Sequence, residues 1–343
     1  MTPLGLERGA ADGRPPALCG VCGGSEVAEW LEPRELMLGT RERFAYFRCA
    51  ACGCLQLASP PQDLQRYYPA DYYAYHADVR THFPRSWRWK HRFLYGSMTR
   101  HRLGWGSVPG AVACAFSRGS VRHLPPAWLR FLVRPVAMDG AILDVGCGAG
   151  LQLMELLDCG FRNLRGADPF LRAPIDHGGM IRIGQERIEE IQGRFDLITL
   201  HHVFEHMAAP VAVLRQAAAL LNPRGQILVR IPLADSEAAL AYRENWVQLD
   251  APRHFFLHTR RSMELAAAQA GLRISRVSYD STAFQFWGSE QYRRDLALFD
   301  PETDRANPNI SLFPPELLRA YAARAAELNA SGRGDQAAFV LEK

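Results

Sequence analysis

The sequence predicts an α/β fold built on a largely parallel sheet, and two observations lead to this prediction. From Gly140 onward, short apolar runs alternate with longer amphipathic ones, which is the pattern of parallel strands joined by crossover helices. The apolar run that starts at Ala141 contains Asp144 near its end and then breaks into three glycines at alternate positions, 146, 148 and 150. Such a break is typical of a tight turn whose exposed backbone approaches a ligand.

The periodicity of apolar residues places the individual elements. Strands are predicted at 141–145, 164–167, 180–183, 195–200 and 226–231, and helices at 150–159, 185–191, 204–221 and 259–270. A sixth strand is predicted at 272–279 and a last strand at 337–341. Upstream of the sheet, residues 83–104 and 125–137 are predicted to be helical. Residues 41–48 alternate between apolar and polar side chains, as expected for a half-exposed strand.

The glycine spacing narrows the kind of ligand. A nicotinamide-binding turn has the spacing G-x-G-x-x-G and places a pyrophosphate at the helix N-terminus, whereas this turn is G-x-G-x-G and follows an acidic residue. Asp168 follows the second predicted strand, where a carboxylate can accept hydrogen bonds from both hydroxyls of a ribose. The pattern therefore favours a nucleoside ligand without a pyrophosphate.

The stretch from Leu143 to Gly150 resembles the first motif of the class I S-adenosylmethionine-dependent methyltransferases. Two later phrases extend the resemblance. Residues 202–206, His-Val-Phe-Glu-His, resemble the "H-V-L-E-H" signature that follows the fourth strand in many sugar, polysaccharide and small-molecule methyltransferases, and residues 246–254 resemble the "W…D-x-P-x-H" segment of the same subgroup. The chain is thus similar to the methyltransferase type 11, 12 and 23 group.

The resemblance implies a Rossmann-like, seven-stranded, mostly parallel sheet whose last strand is antiparallel and lies between the fifth and sixth. Residues 283–334 would then be an insertion that helps to cover the active site. The resemblance also implies that S-adenosylmethionine is the cofactor. No aspartate follows the third strand to bond the adenine amino group, so Gln185 or backbone is expected there. The expected cofactor-binding residues are Asp144, Gly146, Cys147, Gly148, Gly150, Asp168, Gln185 and His201.

Four residues of the later phrases are candidate catalytic groups: His206, His202, Glu205 and His254. They follow strands of the sheet, where ligands of open α/β folds bind, and an imidazole titrates near neutral pH as a general base must. Two plainer roles remain open at this stage. His206 would cap a helix or pack in the core, and His254 would only hydrogen-bond the region of Asp250.

Two C-x-x-C pairs near the N-terminus predict a metal site. Cys19, Cys22, Cys49 and Cys52 can present four thiolates to one tetrahedral Zn²⁺, which leaves no position for water and makes the site structural. Disulfides are not expected in a cytosolic chain, and chance placement of ordinary thiols is the plainer alternative. Cys54 is a competing ligand but is poorly placed to share the second turn.

Length and charge suggest the domain organisation. The 343 residues exceed one average domain, and the order predicted is a flexible tail at 1–16, a zinc ribbon at 17–59, a basic and aromatic linker at 60–138 and a methyltransferase domain at 139–343. The net charge is only +4, but residues 79–138 contain many arginines and no acidic residue. This segment is expected to contact an anionic acceptor or membrane surface. No secretory signal or membrane span is predicted, so a cytoplasmic location is expected.

The acceptor is predicted to be a sugar, nucleotide-sugar, glycan or related small molecule. Tyrosines between residues 67 and 75 would form a lid or a sugar-stacking surface, or else pack the ribbon onto the main domain.

Two other functions remain as alternatives. The zinc ribbon and the arginines also suit an RNA methyltransferase, although the fourth strand lacks the Asn/Asp-Pro-Pro motif of enzymes that methylate exocyclic amines. A scaffold that no longer binds cofactor is disfavoured by the intact glycines.

Overall fold

A computed structural model describes residues 17–68, 89–116, 125–298 and 312–343. Within these ranges the chain forms two sheets and eight α-helices. The strands are β1 (Val27–Leu31), β2 (Tyr46–Cys49), β3 (Leu55–Leu57), β4 (Ala141–Val145), β5 (Asn163–Ala167), β6 (Ile175–Asp176), β7 (Ile181–Gly184), β8 (Phe195–His201), β9 (Leu221–Pro232), β10 (Phe256–Leu257), β11 (Arg273–Tyr279) and β12 (Gln336–Glu342). The helices are α1 (Trp89–Arg102), α2 (Val108–Phe116), α3 (Leu151–Asp158), α4 (Pro210–Leu220), α5 (Glu237–Tyr242), α6 (Arg260–Gln269), α7 (Phe284–Arg293) and α8 (Pro315–Ala330).

The large sheet has the order β11-β12-β9-β8-β4-β5-β7-β6. Strands β7, β5, β4, β8 and β9 are parallel, and β12 runs antiparallel between β9 and β11. The α/β prediction and the position of the last strand are therefore confirmed. One strand was not predicted, because the two-residue β6 is too short to show a periodic pattern; it pairs antiparallel with β7 at the sheet edge.

Three predicted helices differ from the structure. Residues 125–137 form only a 3-10 turn at Ala127–Phe131, since the Gln226 side chain accepts hydrogen bonds from the backbone of Val133 and Arg134. Residues 185–191 form only the short turn Ile188–Glu190. The helix predicted at 204–221 begins at Pro210, because proline favours the first helical position, and the preceding residues form a separate turn at Phe204–His206.

The strand predicted at 41–48 is also shorter than expected. It starts at Tyr46, and Arg41 has a φ of 60°, which breaks an extended chain. This strand belongs to a second, four-stranded sheet of order β1-β2-β3-β10. Strands β1 to β3 come from the cysteine-containing N-terminal part, whereas β10 comes from the loop after β9. The two parts of the chain therefore share one sheet.

A buried ion network joins the same two parts. The guanidinium of Arg253 is fully buried and donates to both carboxylate oxygens of Asp250 at 3.0 Å and to Glu35 Oε1 at 2.8 Å. It also donates to the backbone oxygen of Tyr67 at 3.3 Å. Charges removed from water are tolerated only when they are paired and hydrogen-bonded in this way. The network thus fixes the N-terminal part against the loop that follows β9.

None of the helices in the described part of the chain combines the length and the apolar character needed to cross a lipid bilayer.

Candidate active site

A cavity of about 620 Å³ opens at the carboxyl ends of β4, β5 and β8. This is the edge of an open α/β sheet at which ligands bind. Residues of both predicted groups line it. The predicted cofactor-binding residues among them are Asp144, Gly146, Cys147, Gly148, Asp168 and His201, and the predicted catalytic residues are His202, Glu205, His206 and His254. A volume of this size accommodates a small organic ligand and leaves room for a second reactant.

The turn after β4 requires its glycines. Gly146 has a φ of 69°, and a Cβ on this residue would lie 2.2 Å from Val203 Cγ2, so no other residue fits. The backbone N–H of Gly148 donates to Asp168 Oδ2 at 2.9 Å, and that of Phe170 donates to Asp168 Oδ1 at 2.9 Å. Each carboxylate oxygen keeps a second lone pair for a ligand. Asp168 is thereby aimed into the cavity from the end of β5.

Asp144 lies beneath the same turn and is buried. Its Oδ1 accepts a hydrogen bond from Thr199 Oγ1 on β8 at 2.7 Å. Burial raises the pKa of Asp144 to about 7, and the charge of Asp168 contributes to the increase. Burial also raises the pKa of Asp168. Two carboxyl groups are therefore held close together where a positively charged ligand would be favoured.

The other half of the cavity contains a cluster of three histidines around one carboxylate. Glu205 is 1% exposed, and among the described residues neither of its carboxylate oxygens has a hydrogen-bond partner. His202 Nδ1 lies 3.6 Å and His254 Nε2 lies 4.0 Å from Glu205 Oε1. The rings of His206 and His254 are 4.6 Å apart. Burial acts to raise the pKa of Glu205. The opposing effect of His202, His254 and His206 is larger, so the pKa is lowered to about 2.

Backbone carbonyls fix the orientation of two of these rings. His254 Nδ1 lies 2.8 Å from the oxygen of Gln248, and His206 Nδ1 lies 2.8 Å from the oxygen of Arg253. Because a carbonyl oxygen only accepts, each Nδ1 carries the hydrogen and each Nε2 keeps its lone pair when the ring is neutral. Burial lowers the pKa of His254 to about 4, so this ring is neutral at neutral pH.

The remaining predicted cofactor residues occupy different environments. His201 lies against Trp128 with ring centroids 4.7 Å apart, and burial lowers its pKa to about 3. Burial raises the pKa of Cys147, so its thiol stays protonated. Gly150 has a φ of 88° and caps α3, but it does not line the cavity. Gln185 is exposed after β7 and also stays outside the cavity, because the chain turns away there into the segment 185–191.

Several cavity residues were not identified as site residues from the sequence. Met37 comes from the N-terminal part, and Phe284 and Leu298 come from the segment after β11. No local pattern marks such residues, since they reach the site only through tertiary packing. Tyr68, in contrast, is one of the tyrosines predicted to form a lid or a sugar-stacking surface, and it lines the cavity; its hydroxyl lies 3.1 Å from His206 Nδ1, and its ring stacks on Phe170. Further lining residues are Leu151, Gln152, Val203, Arg230, Val247, Gln248 and Asp250.

Comparison with known families identifies the larger sheet. The model of a family described as "Methyltransferase domain" matches residues 118–277. This range contains the glycine turn, Asp168 and the whole cluster of Glu205 with its three histidines, and it includes strands β4 to β10 and most of β11. Residues 118–277 therefore match a methyltransferase domain, and the sheet around them has the class I, Rossmann-like order. Its expected strand order and antiparallel last strand agree with this assignment.

Related proteins match about half of this chain. A tRNA U34 carboxymethyltransferase from Aliarcobacter butzleri (strain RM4018) is 26% identical over 52% of this chain and 62% of its own length. A second such relative, from Idiomarina loihiensis, is 27% identical over 55% of its own length, so the chain spans less than two thirds of these relatives. A ubiquinone biosynthesis O-methyltransferase from Xanthomonas euvesicatoria pv. vesicatoria is 27% identical over 45% of this chain and 72% of its own length.

Among solved structures, a similar fold occurs in an S-adenosylmethionine-dependent methyltransferase from Mesorhizobium loti. It has a TM-score of 0.41 and 15% identity, and the match covers 64% of this chain and 96% of that chain. A mycolic acid cyclopropane synthase in complex with S-adenosylhomocysteine has a TM-score of 0.39 and 19% identity, over 61% of this chain and 79% of that chain.

The four predicted metal-ligating cysteines meet in the small sheet next to the methyltransferase domain. Their Sγ atoms all lie within 4.8 Å of one another, with Cys19 and Cys52 at 3.5 Å and Cys22 and Cys49 at 3.5 Å. Cys54 is not part of this group; its thiol faces the backbone oxygen of Leu257 at 3.4 Å.

The structure describes some of the tyrosines at 67–75 and some of the arginines at 79–138. Tyr67 is buried and packs edge-on against Phe44 of the N-terminal part, whereas Tyr68 lines the cavity. Tyr72, Tyr73 and Tyr75 lie outside the described residues, as do five arginines of the segment 79–138: Arg80, Arg85, Arg88, Arg118 and Arg122. Contact of this segment with an anionic surface therefore stays a prediction.

Asp144 of the methyltransferase domain should make stability depend on pH. Its pKa in the folded protein, about 7, exceeds the ordinary value of 3.8, so the folded state binds more protons between these values and the free energy of unfolding falls as pH rises towards 7. Asp144→Asn removes this dependence. Urea unfolding of the ligand-free protein at pH 5, 6, 7 and 8 should show a gap between variant and wild type that changes by about 1 kcal/mol per pH unit up to pH 7 and then levels off.

The exposed Asp139 provides the matched control, since Asp139→Asn should give a curve parallel to that of the wild type. Parallel curves for Asp144→Asn as well would show that Asp144 ionises normally.

Proposed function

We propose that this protein transfers a methyl group from S-adenosylmethionine to a hydroxyl of a small polar acceptor, a sugar residue carried on a nucleotide or a glycan. One observation carries the proposal. The glycine turn with Asp168 and the cluster of Glu205 with three histidines line one and the same cavity. A cofactor held by the first group would direct its reactive end towards acid–base side chains of the second.

The residues on the cofactor side suit S-adenosylmethionine. Asp168 offers carboxylate lone pairs to ribose hydroxyls, and Asp144 with Asp168 favours the positive charge of the ligand. When bound, this cofactor supplies a methyl group that is already activated on a sulfonium. The protein therefore needs to position the acceptor, exclude water and accept one proton.

The acceptor side provides groups for these tasks. The His202 side chain is 36% exposed and lies beside the carboxylate of Glu205, so it is placed to take the hydroxyl proton and pass it to solvent. The Nδ1 atoms of His206 and His254 face backbone carbonyls, which leaves the Nε2 atoms of both rings for contact with hydroxyls. Met37, Phe284 and Leu298 provide an apolar wall on this side. Polar groups near an apolar wall suit a compact polyhydroxylated ring.

The relatives support a hydroxyl acceptor without naming this one. One group is named for O-methylation in ubiquinone biosynthesis and the other for tRNA U34. A cavity of about 620 Å³ that also admits the cofactor leaves space for one small ring. A single flipped base of an RNA has a similar size, so the two acceptor classes are separated by experiment.

The test uses S-adenosylmethionine with a labelled methyl group and fractionated cell extract. Label should enter nucleotide-sugar or glycan material and resist ribonuclease. Asp168→Ala should weaken cofactor binding about 30-fold in calorimetry, because charge-assisted hydrogen bonds worth about 2 kcal/mol are lost. The exposed Asp139→Ala is the control and should bind normally.

Two results would count against the proposal. Label that is released by ribonuclease would replace the sugar acceptor with RNA. Wild-type cofactor affinity in Asp168→Ala would remove Asp168 from the cofactor site.

We further propose that the four clustered cysteines hold one structural Zn²⁺ and that the N-terminal part is a zinc ribbon. A tetrahedral ion with Zn–S bonds of about 2.3 Å places its sulfurs roughly 3.8 Å apart, close to the separations present here. Both turns end in glycines with positive φ, Gly23 and Gly53, whose N–H groups donate to the oxygens of Cys19 and Cys49 at 2.9 Å. Four protein ligands close the site to substrate.

Metal analysis tests the ribbon directly. Cys19→Ser combined with Cys49→Ser should lower the zinc content by one equivalent per chain and reduce the melting temperature, since the binding energy of a structural metal contributes to folding. Cys114→Ser lies outside the cluster and should change neither value. An unchanged zinc content in the double variant would refute this site.

A further inference from the structure

We propose that the acceptor side of the cavity is also a metal site, in which Glu205, His206 and His254 bind one divalent transition-metal cation. The carboxylate oxygen and the two ring nitrogens that these residues offer all lie within 4.8 Å of one another. Among the described residues, the cysteine cluster is the other group with this arrangement. The two sites differ in chemistry, since one offers four sulfurs and the other offers two nitrogens and an oxygen.

The surroundings of the Glu205 carboxylate favour a bound cation. A buried carboxylate is costly unless it is paired or hydrogen-bonded, and buried polar atoms without partners are rare in native proteins. Within the described residues, neither oxygen of Glu205 has a hydrogen-bond partner, and the nearest histidine nitrogens lie 3.6 Å and 4.0 Å away. A cation between Glu205 and the histidines would satisfy this carboxylate.

The orientation of the His206 and His254 rings also favours a bound metal. Histidines that bind metals usually donate their other ring N–H to a backbone carbonyl or carboxylate, which fixes the tautomer. His254 donates from Nδ1 to the oxygen of Gln248, and His206 donates from Nδ1 to the oxygen of Arg253, each at 2.8 Å. Both Nε2 lone pairs are thereby left for a Lewis acid. These contacts come from one loop, so the loop orients both ligands together.

The donor set indicates the class of cation. Imidazole favours Zn²⁺, Fe²⁺, Co²⁺ and Ni²⁺, whereas Mg²⁺ and Ca²⁺ prefer oxygen ligands alone. Three protein ligands also leave a coordination position open, as in catalytic rather than structural metal sites. The cavity reaches all three residues, so a ligand can occupy that position.

The role of the cation rests on the proposed methyl transfer, although its binding does not. An acceptor hydroxyl bound at the open coordination position of the cation would have a lowered pKa. It would lose its proton to His202, whose Nδ1 is 3.6 Å from Glu205 Oε1. The oxygen lone pair set free would then attack the methyl carbon while the carbon–sulfur bond breaks and sulfur keeps that electron pair. Charge and atoms balance, because the sulfonium charge is replaced by one released proton.

The test is a Co²⁺ titration of the full-length protein whose cysteines are already saturated with zinc. Visible absorption and equilibrium dialysis should detect one bound Co²⁺ per chain, without the charge-transfer bands that thiolate ligands produce. Glu205→Gln and His254→Gln should each weaken this binding by about 100-fold or more, since even the loss of a group that only hydrogen-bonds a metal ligand costs about 10- to 100-fold. His101→Gln, an exposed histidine outside the cavity, is the matched control and should bind Co²⁺ as the wild type does.

Binding of S-adenosylhomocysteine reports on each variant's fold and separates the two proposals. If Glu205→Gln does not fold, His206→Gln replaces it. Wild-type protein that binds S-adenosylhomocysteine but no Co²⁺, or Co²⁺ binding that is unchanged in the ligand variants, would overturn the metal site and leave the methyltransferase proposal standing. Co²⁺ binding without any binding of S-adenosylhomocysteine would support the metal site and contradict the proposed function.

Discussion

The buried guanidinium of Arg253 connects three walls of the cavity. Glu35, which it binds, also accepts hydrogen bonds from the backbone of Leu38 and Thr40, so this carboxylate shapes the loop that contains Met37. Asp250 belongs to the loop that carries Gln248 and His254, and the oxygen of Tyr67 precedes Tyr68. Removing one partner of a buried ion pair usually costs about 3–5 kcal/mol, because the others are left unpaired. The acceptor side of the site therefore depends on this one interaction.

This arrangement gives the N-terminal part a role beyond that of an appended module. Strand β10 of the methyltransferase domain completes the small sheet of β1 to β3, and Met37 and Tyr68 line the same cavity as the glycine turn. The residues proposed to bind the cofactor lie at the carboxyl ends of β4, β5 and β8. The acceptor half, in contrast, combines the loop after β9, the N-terminal part and the segment after β11. Acceptor preference is thus expected to depend on residues outside the shared domain.

The sequence predicted the features that local patterns encode. Parallel strands, the glycine turn and Asp168 follow from periodicity and spacing, and the cysteine pairs follow from metal-ligand spacing. Other features depend on contacts between distant segments. The helix expected at 125–137 is absent because Gln226 takes up its backbone N–H groups, and Gln185 stays exposed because the chain turns away after β7. Glu205 was recognised as a candidate, but its lack of hydrogen-bond partners appears only when the fold surrounds it.

Substitution of Arg253 tests most directly whether the network holds the acceptor side of the site. Methyl transfer and cofactor affinity would be measured for Arg253→Met, with Arg260→Met as control, since Arg260 forms an exposed ion pair with Glu264. The network model predicts that Arg253→Met keeps the cofactor affinity within about twofold while kcat falls at least tenfold, and that Arg260→Met behaves as the wild type. An unchanged kcat in Arg253→Met would contradict it.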